Sequence, residues 1–179
     1  MTEPFTFHEF ERRGWSDARV VAGYPDSFAA VTTQTIVPLL DAAGVRRGAR
    51  VLDVATGPGY GAGMAAERGA VAVGLDFSPG MITRARLNYP AVEFREGDAG
   101  KLPFQDGSFD AIVSNYGMPH FPDHDAFLRE AFRVLRRGGR IAFSAWTPPS
   151  ACIGFGVIYA AVRLHGQMDV PLPPGPNFF

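Results

Sequence analysis

Arg50-Val51-Leu52-Asp53-Val54-Ala55-Thr56-Gly57-Pro58-Gly59-Tyr60-Gly61-Ala62-Gly63 is the stretch whose reading decides the fold. An apolar run of strand length breaks into glycines and continues as Met64-Ala65-Ala66-Glu67-Arg68, which is compatible with helix. The reading is strand, tight loop, helix. Glycines let bare backbone approach a ligand, and the helix that follows opens with unpaired N–H groups. Asp53 lies inside the strand, and Asp76 ends the next apolar run, Val71-Ala72-Val73-Gly74-Leu75. Two carboxylates at consecutive strand ends suit a ligand with hydroxyls and a positive charge, because they accept hydrogen bonds and attract cations. They suit a polyphosphate less well.

Working outward, strands are expected at 49–54, 71–75, 91–95, 109–114 and 140–146, with helices at 60–68 and from Pro79 through Leu87 between the first three. Ser78 is the N-cap of the second of these helices, with Pro79 at its first position. A helix capped by Asp123 runs from 124 to 136, where Phe127, Leu128, Ala131, Val134 and Leu135 recur at helical spacing. Gly138-Gly139 is expected to terminate it, and the charges between Arg129 and Arg140 read as a solvated helix face. Upstream, the aromatic and charged segment 5–19 reads as a helical cap or lid. A helix capped by Asp26 then runs to Ala43, bent or interrupted at Pro38. A further helix is expected over 151–165, ahead of an extended or disordered proline-rich tail, 170–176.

Strands alternating with helices imply parallel strands joined by right-handed crossovers, a doubly wound α/β sheet with helices on both faces. Ligands of such sheets lie beyond the carboxyl ends of the strands, where strand order reverses. Asp53, Asp76, Asp98 and Asn115 all fall at or just past those ends. The 179 residues form one domain of ordinary globular composition, 46% hydrophobic and 20% charged. A net charge of −1 without a basic block offers nothing to nucleic acid or an anionic membrane. A single cysteine, Cys152, excludes an internal disulfide and a multi-cysteine metal site. No apolar run approaches the ~20 residues of a membrane span. The N-terminus lacks a secretory pattern, so a cytoplasmic protein is expected.

On these motifs the sequence resembles a class I S-adenosylmethionine-dependent methyltransferase of the small-molecule type, with a Rossmann-like sheet. The resemblance covers 26–146. Asp53, Ala55, Gly57 and Gly59 match the family's first motif, with Ala55 where a glycine often stands. Leu75-Asp76-Phe77-Ser78-Pro79-Gly80-Met81 matches the second, whose acid binds the ribose hydroxyls. Gly97-Asp98-Ala99 matches the adenine segment, and Arg133-Val134-Leu135-Arg136-Arg137-Gly138-Gly139 the approach to the fifth strand. S-adenosylmethionine is the implied cofactor. Gly57 and Gly59 admit its amino-acid and sulfonium end, with Asp53 orienting that loop. Asp76 accepts from ribose, Asp98 and Ala99 take adenine, Phe77 and Met81 sandwich its face, and Asn115 borders the site. On the acceptor side His120 is the candidate base, with Tyr24, Trp15 and Phe28 closing over the pocket. His8, His124 and His165 read as surface residues, and no metal-ligand spacing is present.

The division expected is a helical cap over 1–45, a cofactor-binding core over 46–147, and a helix with a proline-rich tail over 148–179. Family members continue past strand five with a helix and an antiparallel strand pair, and no sixth or seventh strand is legible here. Strand five would then be an exposed edge. It could be covered by the final Phe178-Phe179 or by a second copy in a homodimer. The leading expectation is methyl transfer to a small-molecule acceptor. Two alternatives are a cofactor-binding protein without activity, and an NAD-dependent oxidoreductase, since Gly57-x-Gly59-x-x-Ala62 also fits a dinucleotide fingerprint.

Overall fold

The computed structural model describes residues 6–168 and 172–176. The first helix, α1 (Phe7–Ser16), opens with a reciprocal cap. Thr6 Oγ1 accepts from Glu9 N at 3.2 Å, and Glu9 Oε2 accepts from Thr6 N at 2.9 Å. Asp17 ends α1 and caps α2 (Ala18–Ser27) by accepting from Arg19 N at 2.8 Å. Asp26, the expected cap, lies instead within the last turn of α2. The single helix expected to follow it is broken into α3 (Ala29–Thr32), a 3-10 turn (Thr33–Thr35) and α4 (Ile36–Ala42). Thr32 and Thr33 cause the break: their hydroxyls donate to the carbonyls of Phe28 and Ala29 at 3.1 and 2.6 Å, which bends a helix. Pro38, expected to interrupt the helix, sits in the first turn of α4, where a missing N–H does little harm.

Five parallel strands follow: β1 (Arg50–Val54), β2 (Val71–Asp76), β3 (Glu93–Glu96), β4 (Phe109–Asn115) and β5 (Leu135–Ser144). Their order is β3-β2-β1-β4-β5, so the direction in which strands are added to the sheet reverses between β1 and β4. The crossovers carry α5 (Tyr60–Glu67), α6 (Pro79–Asn88) and α7 (His124–Val134). This is the doubly wound α/β sheet that the sequence implies. Two boundaries move. Strand β3 begins at Glu93 rather than residue 91. Helix α7 stops at Val134, and β5 starts at Leu135, so Gly138-Gly139 fall inside the strand. There the register slips, with Phe109 opposite Leu135 but Ala111 opposite Arg140, and Gly138 turns at φ +80° to absorb the extra residues.

Alternating strand residues feed two cores. On one face Val51, Ala111 and Val113 meet α4, α5 and α6; on the other Leu52, Val54 and Ile112 meet Phe127, Ala131 and Val134 of α7. Each fully buried large side chain contributes about 1.5–3 kcal/mol. Beyond β4 the packing thins. Strand β5 is an edge, Phe143 is half exposed, and α8 (Ile153–His165) buries no residue. Residues 172–176 carry no regular secondary structure, and Gly175 lies against the Phe7 ring of α1. Phe178-Phe179 lie outside the described residues. Among the described residues no helix is long and apolar enough to cross a membrane.

Candidate functional site

The carboxyl ends of β1, β2 and β4 open onto two adjoining cavities, and the loop after β1 forms their shared floor. Ala55 begins the loop at φ +58°, in the left-handed region. That conformation costs an L-residue about 1–2 kcal/mol and explains why glycine suits this position. Thr56 N donates to Leu75 O at 3.0 Å, and Gly57 N donates to Asp76 Oδ2 at 2.8 Å. Gly59, at φ +88°, comes so close to Phe94 that a β-carbon would sit 2.8 Å from its ring. Asp53 lies beneath the loop rather than in either cavity: Oδ2 accepts from Thr56 Oγ1 at 2.7 Å and from Ala62 N at 2.9 Å. Its Oδ1 is buried without a partner among the described residues, and burial pushes the carboxyl up to about 7.

Asp76 is also buried, and burial raises its pKa while the N–H groups of Ser78 and Gly57 oppose that rise. Oδ1 accepts from Ser78 N at 2.9 Å, so both oxygens are held in orientation while the carboxylate borders both cavities. Asp98 and Ala99 line the smaller cavity, of about 20 Å³. Asp98 also makes an Asx-turn, accepting from Gly100 N at 2.8 Å. Met81, almost fully buried, and Gly57 line the larger cavity, of about 190 Å³, and Phe77 lies between the two. Asn115 borders the larger one, but most of its capacity is spent tying the frame together. It accepts from Thr35 Oγ1 at 2.8 Å and Ser144 Oγ at 2.7 Å, and donates to Thr32 O at 2.9 Å. Of the residues singled out in the sequence, then, only Asp53 and Gly59 stand behind the walls.

Trp15, Tyr24 and Phe28 close over the larger cavity, as the sequence suggested. Tyr116, within the stretch after β4 that the sequence offers for the acceptor, and Trp146, which it did not single out, add a stacked pair with centroids 4.1 Å apart, Tyr116 at φ +57°. His120 borders both cavities, with Nδ1 2.7 Å from Glu11 Oε2. Glu11 has no motif of its own, yet Phe7, Glu11 and Trp15 share one helical stripe, and an acid between aromatics on such a stripe is a readable signal. His8 is exposed, as read, and borders the smaller cavity; His124 departs from the surface reading, being half-buried and bonded to Met118 O at 2.9 Å. The charges of α7 are not all solvated. Arg133 joins Glu130, Asp106 and the carbonyls of Leu102 and Phe104, clamping α7 to the loop after Asp98-Ala99. Among the described residues no cluster of His, Cys, Asp or Glu is arranged for a metal.

Among the described residues no lysine or arginine lines either cavity, whereas Glu11, Asp76 and Asp98 do. Such acceptors fit a ligand bearing hydroxyls, an amino group and positive charge. They give a pyrophosphate no lysine or arginine to pair with.

Residues 52–143 match the family described as methyltransferase domain. The chain is 43% identical over 121 residues to a demethylmenaquinone methyltransferase of Beutenbergia cavernae, covering 65% of this chain and 50% of that one. It is 42% identical over 132 residues to the Thermus thermophilus protein of the same name, covering 70% and 58%. The chain thus spans little more than half the length of these curated relatives. Among solved structures it is similar to the YcgJ protein of Bacillus subtilis, at 29% identity and a TM-score of 0.59, covering 73% of this chain and 58% of that one.

Proposed function

The chain belongs to the S-adenosylmethionine-dependent methyltransferase-domain family, and from that premise we propose that it methylates a small acceptor without anionic groups, in the cytoplasm. The observation that carries this reading is the lining of the paired cavities, acidic at one end, aromatic at the other, and free of lysine and arginine. Asp98 and Ala99 hold the adenine, Asp76 accepts from the ribose hydroxyls, and the backbone at Gly57 faces the amino-acid end. Phe77 and Met81 bound the ring face. Asp53 acts from below by fixing Thr56 and the start of α5. The aromatic wall of Tyr24, Phe28, Tyr116 and Trp146 takes the acceptor and keeps water from it. Two relatives carry demethylmenaquinone in their names, and a planar quinol-type ring is the acceptor class such a wall favours.

When bound, the cofactor would supply a methyl group activated on positive sulfur. The aromatic wall would align the acceptor with it and exclude water, and His120 would receive the proton that the acceptor gives up.

Calorimetric titration with S-adenosylhomocysteine, with NADH as control, tests the reading. One-site micromolar binding, about −8 kcal/mol, is expected for S-adenosylhomocysteine and none for NADH. Asp76→Ala should weaken it by about 1–3 kcal/mol through the lost charge-assisted bonds. Binding of NADH in place of S-adenosylhomocysteine would restore the oxidoreductase reading.

A further inference from the structure

We infer that Glu11, on the first helix, is the positioning residue that decides which nitrogen of His120 is bare, and so makes Nε2 the base. The use of that base rests on the methyl-transfer reading; the choice of nitrogen does not. Three polar groups converge at this point, from helices about a hundred residues apart in sequence. Glu11 Oε2 lies 2.7 Å from His120 Nδ1 and accepts from Trp15 Nε1 at 2.9 Å. Trp15 Nε1 also lies 3.3 Å from His120 Nδ1. The Trp15 and His120 rings meet edge to face, with centroids 5.0 Å apart.

The chemistry of the three groups leaves one consistent arrangement. Indole N–H only donates, and an ionised carboxylate only accepts. If Nδ1 were bare, its lone pair would face a carboxylate oxygen at 2.7 Å, compensated only by the 3.3 Å contact from Trp15. With the proton on Nδ1, two short bonds converge on Glu11 Oε2, both charge-assisted and roughly twice as strong as neutral ones. Nε2 is then the bare nitrogen, and it has no hydrogen-bond partner among the described residues. A proton taken from the acceptor arrives there, and the imidazolium so formed stands beside the Glu11 carboxylate.

The same contact links the base to the seating of the N-terminal helix. Ser78 Oγ donates to Trp15 O at 2.8 Å, which pins the end of α1 to the start of α6, two residues past Asp76. The Glu11 side chain is only 12% exposed in this arrangement, so its carboxylate is held rather than free to wander in solvent. One helix thus supplies both Trp15 to the aromatic wall and Glu11 to His120.

Ring-nitrogen NMR on the full 179-residue chain tests this without an acceptor. Long-range proton–nitrogen correlations are recorded at about pH 9, where imidazole is ordinarily neutral. The His120 signals are identified by their loss in His120→Asn. The expected result is a proton on Nδ1 and a bare Nε2 in the unmodified chain, with the Nδ1–H share falling several-fold in Glu11→Ala. Trp15→Phe should keep the Nδ1–H form, because the carboxylate remains. A proton on Nε2 in the unmodified chain overturns the proposal, as does an unchanged ratio in Glu11→Ala or a switch of nitrogen in Trp15→Phe alone. Should Glu11→Ala not fold, the other two spectra decide. Titration with S-adenosylhomocysteine is a separate measurement, so failure of the cofactor reading and failure of this one are distinguishable.

Discussion

Around β1 and β2 the sheet is packed tightly on both faces, with Val51, Leu52 and Val54 wholly buried. Past β4 the same sheet loosens: Phe132 of α7 is 84% exposed, Ile153 at the start of α8 is 89% exposed, and Phe143 of the edge strand is half exposed. The first region supplies the floor and acidic wall of the two cavities, and the second reaches them only through loop residues such as Tyr116, His120 and Trp146. Exposed apolar residues are ordinary when scattered, but α8 offers Ile153, Val157, Ile158 and Leu164 along one short helix. The difference teaches that the frame of the site draws its rigidity from β1, β2 and the helices over them. Substitutions should therefore be expensive around β1 and cheap on the outward faces of α7 and β5, away from the buried Phe127, Ala131 and Val134.

The largest effect is expected at Asp53. Its carboxyl is buried, one oxygen lacks a partner among the described residues, and burial pushes its pKa up to about 7 from the ordinary carboxylate range. In the folded chain it stays protonated up to about pH 7, whereas in the unfolded chain it ionises near pH 4. Between those values the unfolded state binds fewer protons, so the contribution of Asp53 to stability falls as pH rises and levels off above 7. About three pKa units at ~1.4 kcal/mol each make that fall about 4 kcal/mol. Asp53→Asn cannot ionise. Urea unfolding across this pH range should show the unmodified chain losing several kcal/mol relative to Asp53→Asn. Parallel pH profiles for the two proteins would show instead that the carboxyl is ionised in the fold, and the tightness of this region would have been overstated.

Gly59→Ala comes next. A left-handed alanine costs about 1–2 kcal/mol, and the new β-carbon, 2.8 Å from Phe94 and 3.0 Å from Ala85, adds about 1–3 kcal/mol of overpacking. The melting temperature should fall by on the order of 10 °C. Gly138→Ala in β5 is the matched control. It has nearly the same backbone, at φ +80°, but nothing within 4 Å of a β-carbon, so only the conformational part applies. Equal losses at the two glycines would erase the contrast between the regions.

How much of this was legible depends on whether the signal was local. The loop after β1, the acids at Asp53 and Asp76, and the Ser78–Pro79 helix start are patterns within a few residues, and the structure places them as read. The register slip at Gly138 was not legible, because paired glycines look alike whether they end a helix or bend a strand. The breaks at Thr32 and Thr33 depend on hydroxyls choosing carbonyls four residues back, which apolar periodicity does not register. Glu11 and Arg133 were missed for another reason: their partners are fixed by tertiary packing. Glu11 meets a histidine 109 positions away, and Arg133 meets Leu102 and Phe104 across a strand and a loop.

The smallest effect is expected at Phe132, on the outer face of α7. Its ring is 84% exposed, so removing it sacrifices little burial, and glutamine forms helix at least as well as phenylalanine. Phe132→Gln should change stability by no more than about 0.5 kcal/mol in dilute solution, read from chemical unfolding. The measurement is most informative when repeated over a hundredfold range of protein concentration. A side chain that meets only water gives the same small difference throughout. A side chain buried against a second copy gives a loss that grows with concentration, because association stabilises only the folded chain that can still associate. The first result keeps this region inexpensive in its own right; the second means that it is packed after all, by another molecule.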